Sequence, residues 1–167
     1  QSLNSAAIEA YHSLRTSMES LLPENGGRVT VFTSCSMSEG KTLSCVNFSL
    51  ASMQVGNRVL LIDGDLRRPS LHKLMGVEND LGLTDIIIEK RPLEGAIKGV
   101  ADFMAGTARI DDLIKMQGID NLFLLTAGSI KANPVNVFGR REFTDLIAEV
   151  RNDYDWIIFD CPPLLLF

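Results

Sequence analysis

The sequence is short of aromatic, disulfide-forming and metal-ligating residues. Its 167 positions hold one Trp, two Tyr, three Cys and two His. Three cysteines, at positions 35, 45 and 161, are an odd number without paired spacing. That excludes a disulfide framework and points to a reducing, cytosolic setting. His12 and His72 lie far apart and no Cys/His cluster has ligand spacing, so a zinc site is not expected. Positive charge is not in excess either. Sixteen Lys and Arg stand against 21 Asp and Glu, for a net charge of −5, and this removes the basic footprint that a nucleic-acid partner requires. No uninterrupted apolar run approaches the roughly 20 residues of a membrane span. No signal-peptide pattern is present. Gln1 is not an initiator Met and Phe167 falls inside an apolar run, so both ends read as cuts in a longer protein.

What is present suits one globular domain over residues 1–167. The chain is 46% hydrophobic, enough for a full core. Residues 5–22 read as a helix, with Ala7, Tyr11, Leu14, Met18 and Leu21 as its apolar stripe. Pro23 and the Asn-Gly-Gly of 25–27 end it. Arg28 to Thr33 reads as a β-branched strand, and 42–55 as a helix stopped at Gly56. Arg58 to Asp63, Asn121 to Thr126 and Asp155 to Asp160 are nearly continuous apolar runs, the pattern of strands buried on both faces. Asn133-Pro134 predicts a helix start, and Phe143, Leu146, Ile147 and Val150 would be that same helix's buried stripe. Asp85, Leu93, Glu94, Ile97 and Lys98 are echoed 17 residues later by Asp102, Ile110, Asp111, Ile114 and Lys115. The echo predicts two similar short helical units on one edge. Strands alternating with helices make the class α/β, with a mainly parallel sheet and helices on both faces.

Three strand ends carry chemistry. The first strand runs into TSCSMSEGKTL, Thr33 to Leu43. Its Gly-Lys-Thr ending is that of a P-loop (Walker A), although Cys35 stands where the first glycine is expected. Ser36, Met37, Ser38, Glu39, Gly40, Lys41, Thr42 and Leu43 are the candidate phosphate-binding segment. A helix N-terminus with a small-residue loop presents amides to an anion, Lys41 adds a point charge, and Thr42 can ligate Mg²⁺. The first loop position makes only the entry turn, so Cys35 is predicted to keep a negative φ. The second strand ends at Asp63, followed by Gly64 and Asp65; the last ends at Asp160. If the strands are neighbours, Thr42, Asp63 and Asp160 form the hydroxyl-and-carboxylate set that Mg²⁺ accepts beside a polyphosphate.

LLIDGDLRRP, Leu60 to Pro69, followed by Ser70, Leu71 and His72, resembles the second nucleotide motif of the bacterial tyrosine kinases of capsule and exopolysaccharide synthesis. EGKT at 39–42, DWIIFDCPP at 155–163, EAYHSLR at 9–15 and AGSIKANP at 127–134 extend the resemblance over essentially the whole chain. Plasmid-partition and septum-site ATPases are similar at the P-loop and the acidic strand end, but not in Arg67-Arg68-Pro69.

The resemblance implies a P-loop NTPase-like fold that phosphorylates tyrosine from ATP and Mg²⁺. Lys41, Asp63 and Asp65 would be catalytic, and Thr42, Asp63 and Asp160 would hold the metal. It implies homo-oligomers through Glu9, His12 and Arg15, which are expected to face mostly away from the apolar stripe. It also implies a transmembrane polysaccharide co-polymerase, fused or separate, and a place at the inner face of the cell membrane. The family's Pro-Gly is Met37-Ser38 here, and the middle Arg of its Glu-x-x-Arg-x-x-Arg motif is His12. The acceptor tyrosines and closing strands would follow Pro163. Two other readings stay open: a partition-type ATPase switch, and a nucleotide-binding assembly module without transfer.

Overall fold

The computed structural model describes residues 5–22, 26–106, 114–129 and 131–165. Pro23, Asn25, Ile110 and Asp111, singled out above, lie outside them. The elements are α1 (Ser5–Leu21), β1 (Arg28–Phe32), α2 (Lys41–Gln54), β2 (Val59–Asp63), α3 (Leu71–Met75), α4 (Leu83–Glu89), β3 (Ile97–Lys98), α5 (Val100–Ala105), β4 (Leu122–Leu125), α6 (Pro134–Phe138), α7 (Arg141–Val150) and β5 (Trp156–Asp160).

The sheet order is β1-β5-β2-β4-β3, parallel except for the short edge strand β3. Every residue of β2 and β5 is buried, because helices cover both faces. Alternation divides the core. Val59, Leu61, Trp156 and Ile158 pack with Phe48 and Met53 of α2. Leu60, Ile62, Ile157 and Phe159 pack with Ile87, Val137, Leu146 and Val150 on the other side. Phe48 meets Trp156 edge-on at 5.1 Å, the geometry aromatic quadrupoles favour. β1 lies at an edge, with Val29 37% and Val31 56% exposed.

The expected helix from Asn133 is two. Asn133 does cap α6, accepting from the Val135 amide at 3.1 Å. The chain then breaks at Gly139 and Arg140, and the amphipathic stripe belongs to α7. Glycine's high entropic cost inside a helix favours a break there. The face of α1 is also corrected. Leu14 and Leu21 are exposed at 41% and 83%, while Tyr11, Met18 and Leu22 pack on the core. Residues 11, 15, 18 and 22 share one face at helical spacing, so Arg15 lies half-buried along it and pairs with Glu19, whereas His12, also half-buried, lines a shallow groove with Glu9, Ser13 and Thr16. An arginine can line such a face because its stem is apolar. The 17-residue echo holds at its two aspartates. Asp85 accepts from the Gly82 amide at 2.9 Å and Asp102 from Gly99 at 2.8 Å, each opening a short helix. Ile97 and Lys98, however, form a strand. Among the described residues no helix is long and apolar enough to cross a membrane.

Phe48→Ala is expected to destabilise the fold by about 3–5 kcal/mol, and Leu21→Ala by no more than about 0.5 kcal/mol, in urea unfolding. A large cost at Leu21 would place the buried face of α1 elsewhere.

Candidate functional site

The parallel register sets Asp63 directly beside Asp160, and Phe32, the last residue of β1, on the other side of Asp160. The three strand ends are therefore neighbours, and the groups that follow them line one cleft of about 520 Å³. Met37, Ser38 and Lys41 come from the first loop, Asp65, Arg67 and Arg68 from the second, and Pro162 and Pro163 from the third. A crevice outside the carboxyl ends of parallel strands is where α/β sheets bind ligands.

The P-loop is tied down by the segment after β5. The Cys161 amide donates to Phe32 O at 2.9 Å, Leu164 N to Ser34 O at 2.9 Å and Leu165 N to Cys35 O at 3.3 Å. The Cys35 amide donates to the Glu39 carboxylate at 3.0 Å, so the loop closes on itself, and Ser34 Oγ donates to Ser36 O at 2.8 Å. Ser38 and Lys90 are the described non-glycine residues with positive φ, so Cys35 keeps the ordinary range expected of it. Gly40 is left-handed, at φ 84°, as the residue before α2; the loop needs its glycine there. Ser38 adopts φ 63° without that freedom, which costs of the order of 1 kcal/mol. Leu43 points outward, 61% exposed.

Lys41 opens α2 and reaches across the cleft. Its Nζ lies 3.2 Å from Asp160 Oδ1 and 3.6 Å from Asp65 Oδ2. The Thr42 hydroxyl donates to Asp160 Oδ2 at 2.7 Å. Thr42 and Asp160 thus form a ready pair for a divalent ion. Asp63 is arranged differently. It is fully buried, and its Oδ2 accepts from the Ser70 and Leu71 amides, each at 3.0 Å, and its Oδ1 from Asp65 at 3.3 Å. It folds the loop that carries Asp65, Arg67 and Arg68, a role sequence reading missed. The available signal was Ser70, a cap-type residue ahead of Leu71. Asp65 Oδ1 accepts from the Arg68 amide at 3.0 Å, leaving Oδ2 toward Lys41. Arg68 Nη1 meets Met37 Sδ at 3.2 Å, linking two walls of the cleft.

Burial pushes Asp63 up to about 6, its amide partners offsetting part of that and Asp160 adding to it. Asp160 is also raised, burial outweighing Thr42 and Lys41. The Cys161 thiol is pushed up to about 11 by burial, so it stays protonated and inert at neutral pH. Two buried carboxylates at adjacent strand ends repel unless a cation sits with them. Among the described residues no three Asp, Glu, His or Cys side chains could hold a metal unaided. Thr42 and Asp160 fit an ion that takes its remaining ligands from phosphate and water, as Mg²⁺ does.

The profile of the AAA domain family matches residues 37–167. The tyrosine-protein kinase YwqD of Bacillus subtilis is 32% identical over 99% of this chain. The chain spans 61% of that relative's length, and only 20% of the longer relatives it matches. The kinase domain of the Escherichia coli tyrosine kinase ETK superposes with a TM-score of 0.79 at 28% identity, over 96% of this chain and 56% of that one. The septum site-determining protein MinD of Pyrococcus horikoshii, complexed with Mg-ADP, superposes with a TM-score of 0.60 at 26% identity, over 82% of this chain and 49% of that one.

Two outcomes follow from the geometry. Ser38→Gly relieves the left-handed strain and should raise unfolding free energy by about 1 kcal/mol in urea titrations. Asp63, with a usual value of 3.8 and a folded value of about 6, holds a proton in the folded state between those pH values and not in the unfolded state. Stability therefore falls as pH rises through that window, by roughly 3 kcal/mol at full effect. Nucleotide-free protein should melt higher at pH 5 than at pH 7, and Mg-nucleotide should narrow the gap. A pH-independent melt would mean that Lys41 and the amides already neutralise the acids.

Proposed function

The chain belongs to the AAA domain family, with bacterial tyrosine-protein kinases among its relatives, and from that premise we propose that it is the ATP-dependent kinase unit of a protein-tyrosine autokinase. The observation that carries this reading is the contact of Lys41 and Thr42 with Asp160, with Asp65 facing the same lysine. The tyrosine-protein kinases among the relatives favour it over the partition-type switch and over an assembly module without transfer.

The amides of Ser36 to Leu43 and the N-terminus of α2 cradle the polyphosphate of ATP. Lys41 leaves its carboxylates for the β- and γ-phosphates. Thr42 and Asp160 would hold Mg²⁺, with the charge of Asp63 adding to the field there, and the bound ion would supply charge neutralisation across the phosphates. Asp65 Oδ2 accepts the phenolic proton as the tyrosine oxygen bonds to the γ-phosphorus and the bond to the β,γ-bridging oxygen breaks, releasing ADP. Arg67 and Arg68 border the charge that develops.

Glu9, His12 and Arg15 on α1 contact a second copy, with Glu9 the most exposed of the three. The protein works on the inner face of the cell membrane beside a polysaccharide co-polymerase.

Labelled ATP and Mg²⁺, supplied to the protein with its native C-terminal extension, should place label on tyrosine. Lys41→Met should lower this at least about 100-fold, and Asp160→Asn should raise the Mg²⁺ half-saturation about tenfold. Free phosphate without phosphotyrosine would support the ATPase switch instead.

A further inference from the structure

The two loops that wall the cleft meet through a thioether and a guanidinium. Met37 belongs to the loop before α2 and Arg68 to the loop after β2, and both line the cleft beside Lys41. Arg68 Nη1 lies 3.2 Å from Met37 Sδ. Among the described residues no carboxylate pairs with that guanidinium. Asp65 gives Oδ1 to the Arg68 amide and turns Oδ2 to Lys41. A thioether is a weak acceptor, so the link between the loops is weak as it stands.

Met37 is open to small reagents from solution, being 50% exposed. Met53 and Met75 are buried, and Met18 and Met116 pack against the core. Met104 on α5 is 65% exposed but does not line the cleft. Thioether chemistry at the cleft is therefore confined to one residue, and the molecule carries its own control elsewhere. The backbone around Met37 is tied on both sides. Ser34 Oγ donates to Ser36 O, and the Glu39 carboxylate accepts from the Cys35 amide. A chemical change at the sulfur acts on the Arg68 contact instead of being absorbed by a shift of the loop.

We propose that Met37 is a modification site: a peroxide oxidises its thioether to the sulfoxide, whose oxygen clasps Arg68 and closes the cleft to nucleotide. The step transfers one oxygen atom and two electrons. The sulfur lone pair forms the S–O bond as the O–O bond of the peroxide breaks. The departing oxygen keeps that bond's electron pair, takes the proton of the transferred oxygen and leaves as water. Arg68 stands where it stabilises the negative charge that develops on the transferred oxygen. A sulfoxide is polar, and its oxygen forms a charge-assisted bond with the guanidinium that the sulfide cannot match. A polyphosphate reaching Lys41 between the two loops then has to break that bond. A dithiol-driven sulfoxide reductase removes the oxygen again as water. The inference rests on the cleft being the nucleotide site, and not on tyrosine being the acceptor.

The test treats the protein with hydrogen peroxide and then with dithiothreitol, which returns disulfides and sulfenic acids at the cysteines to thiols and leaves sulfoxides in place. Peptide mass spectrometry reads the oxidation of each methionine, and the fluorescence of mant-ATP with Mg²⁺ reads nucleotide affinity. Oxidised protein should bind about tenfold more weakly than untreated protein, and sulfoxide reductase should restore the affinity. Met104→Leu should keep the full difference between oxidised and untreated protein. In Met37→Leu and in Arg68→Ala that difference should vanish, whatever the starting affinity of each variant. Sulfoxide at Met37 without loss of affinity, a loss that survives in Met37→Leu, or an unmodified Met37 once Met104 is fully oxidised would overturn the proposal. Untreated, folded protein that does not bind mant-ATP would overturn the reading of the cleft, and this proposal with it.

Discussion

Two carboxylates with no solvent exposure sit side by side at the ends of β2 and β5, and the rest of the site is arranged around that conflict. Charged groups out of water are tolerated only where hydrogen bonds or counter-charges compensate them. Asp63 is compensated by three backbone amides, Asp160 by Lys41 and Thr42. The first solution shapes a loop and the second ties the lysine of the P-loop to the end of β5. Under the proposed reading an incoming polyphosphate would compete for Lys41 and bring its own divalent ion, so exchanging one cation for another need not leave Asp160 uncompensated. The cleft is coupled to the buried acids through one lysine.

The same economy explains how a loop with few glycines works. Cys35 and Met37-Ser38 replace more permissive residues, yet the loop is held by hydrogen bonds from residues 161, 164 and 165 and by the Glu39 carboxylate. Tertiary ties impose a left-handed Ser38 that local propensity would not choose. Strain of this size persists only where the surroundings over-determine the backbone. Here that happens at the segment that lines the cleft beside Lys41.

Much of this was legible. The all-apolar strands ending in Asp63 and Asp160 announced their burial and their parallel pairing, and the Asn133 cap and the aspartates at 85 and 102 marked real helix starts. The break at Gly139 and Arg140 was less so, since a single glycine within a periodic stripe is compatible with one helix or two. The face of α1 was misread because Leu14 and Leu21 have the right spacing to be core. Packing kept Tyr11 and Met18 of the expected stripe and took Leu22 in place of Leu14 and Leu21, with Arg15 half-buried on the same face. Hydrophobic periodicity says that a helix has a face, but an irregular stripe admits two rotations about its axis.

The residues alone settled that a strand, a loop ending in Gly-Lys-Thr and a helix follow one another and that two acids end buried strands, because those are local consequences of residue type and spacing. Sheet order is not local. Only the assembled fold placed β5 between β1 and β2, and so brought Asp160 to Thr42 across 118 residues. Only the fold set Asp63 beside Asp160, since that depends on which chain segments share an edge, and no single segment encodes that.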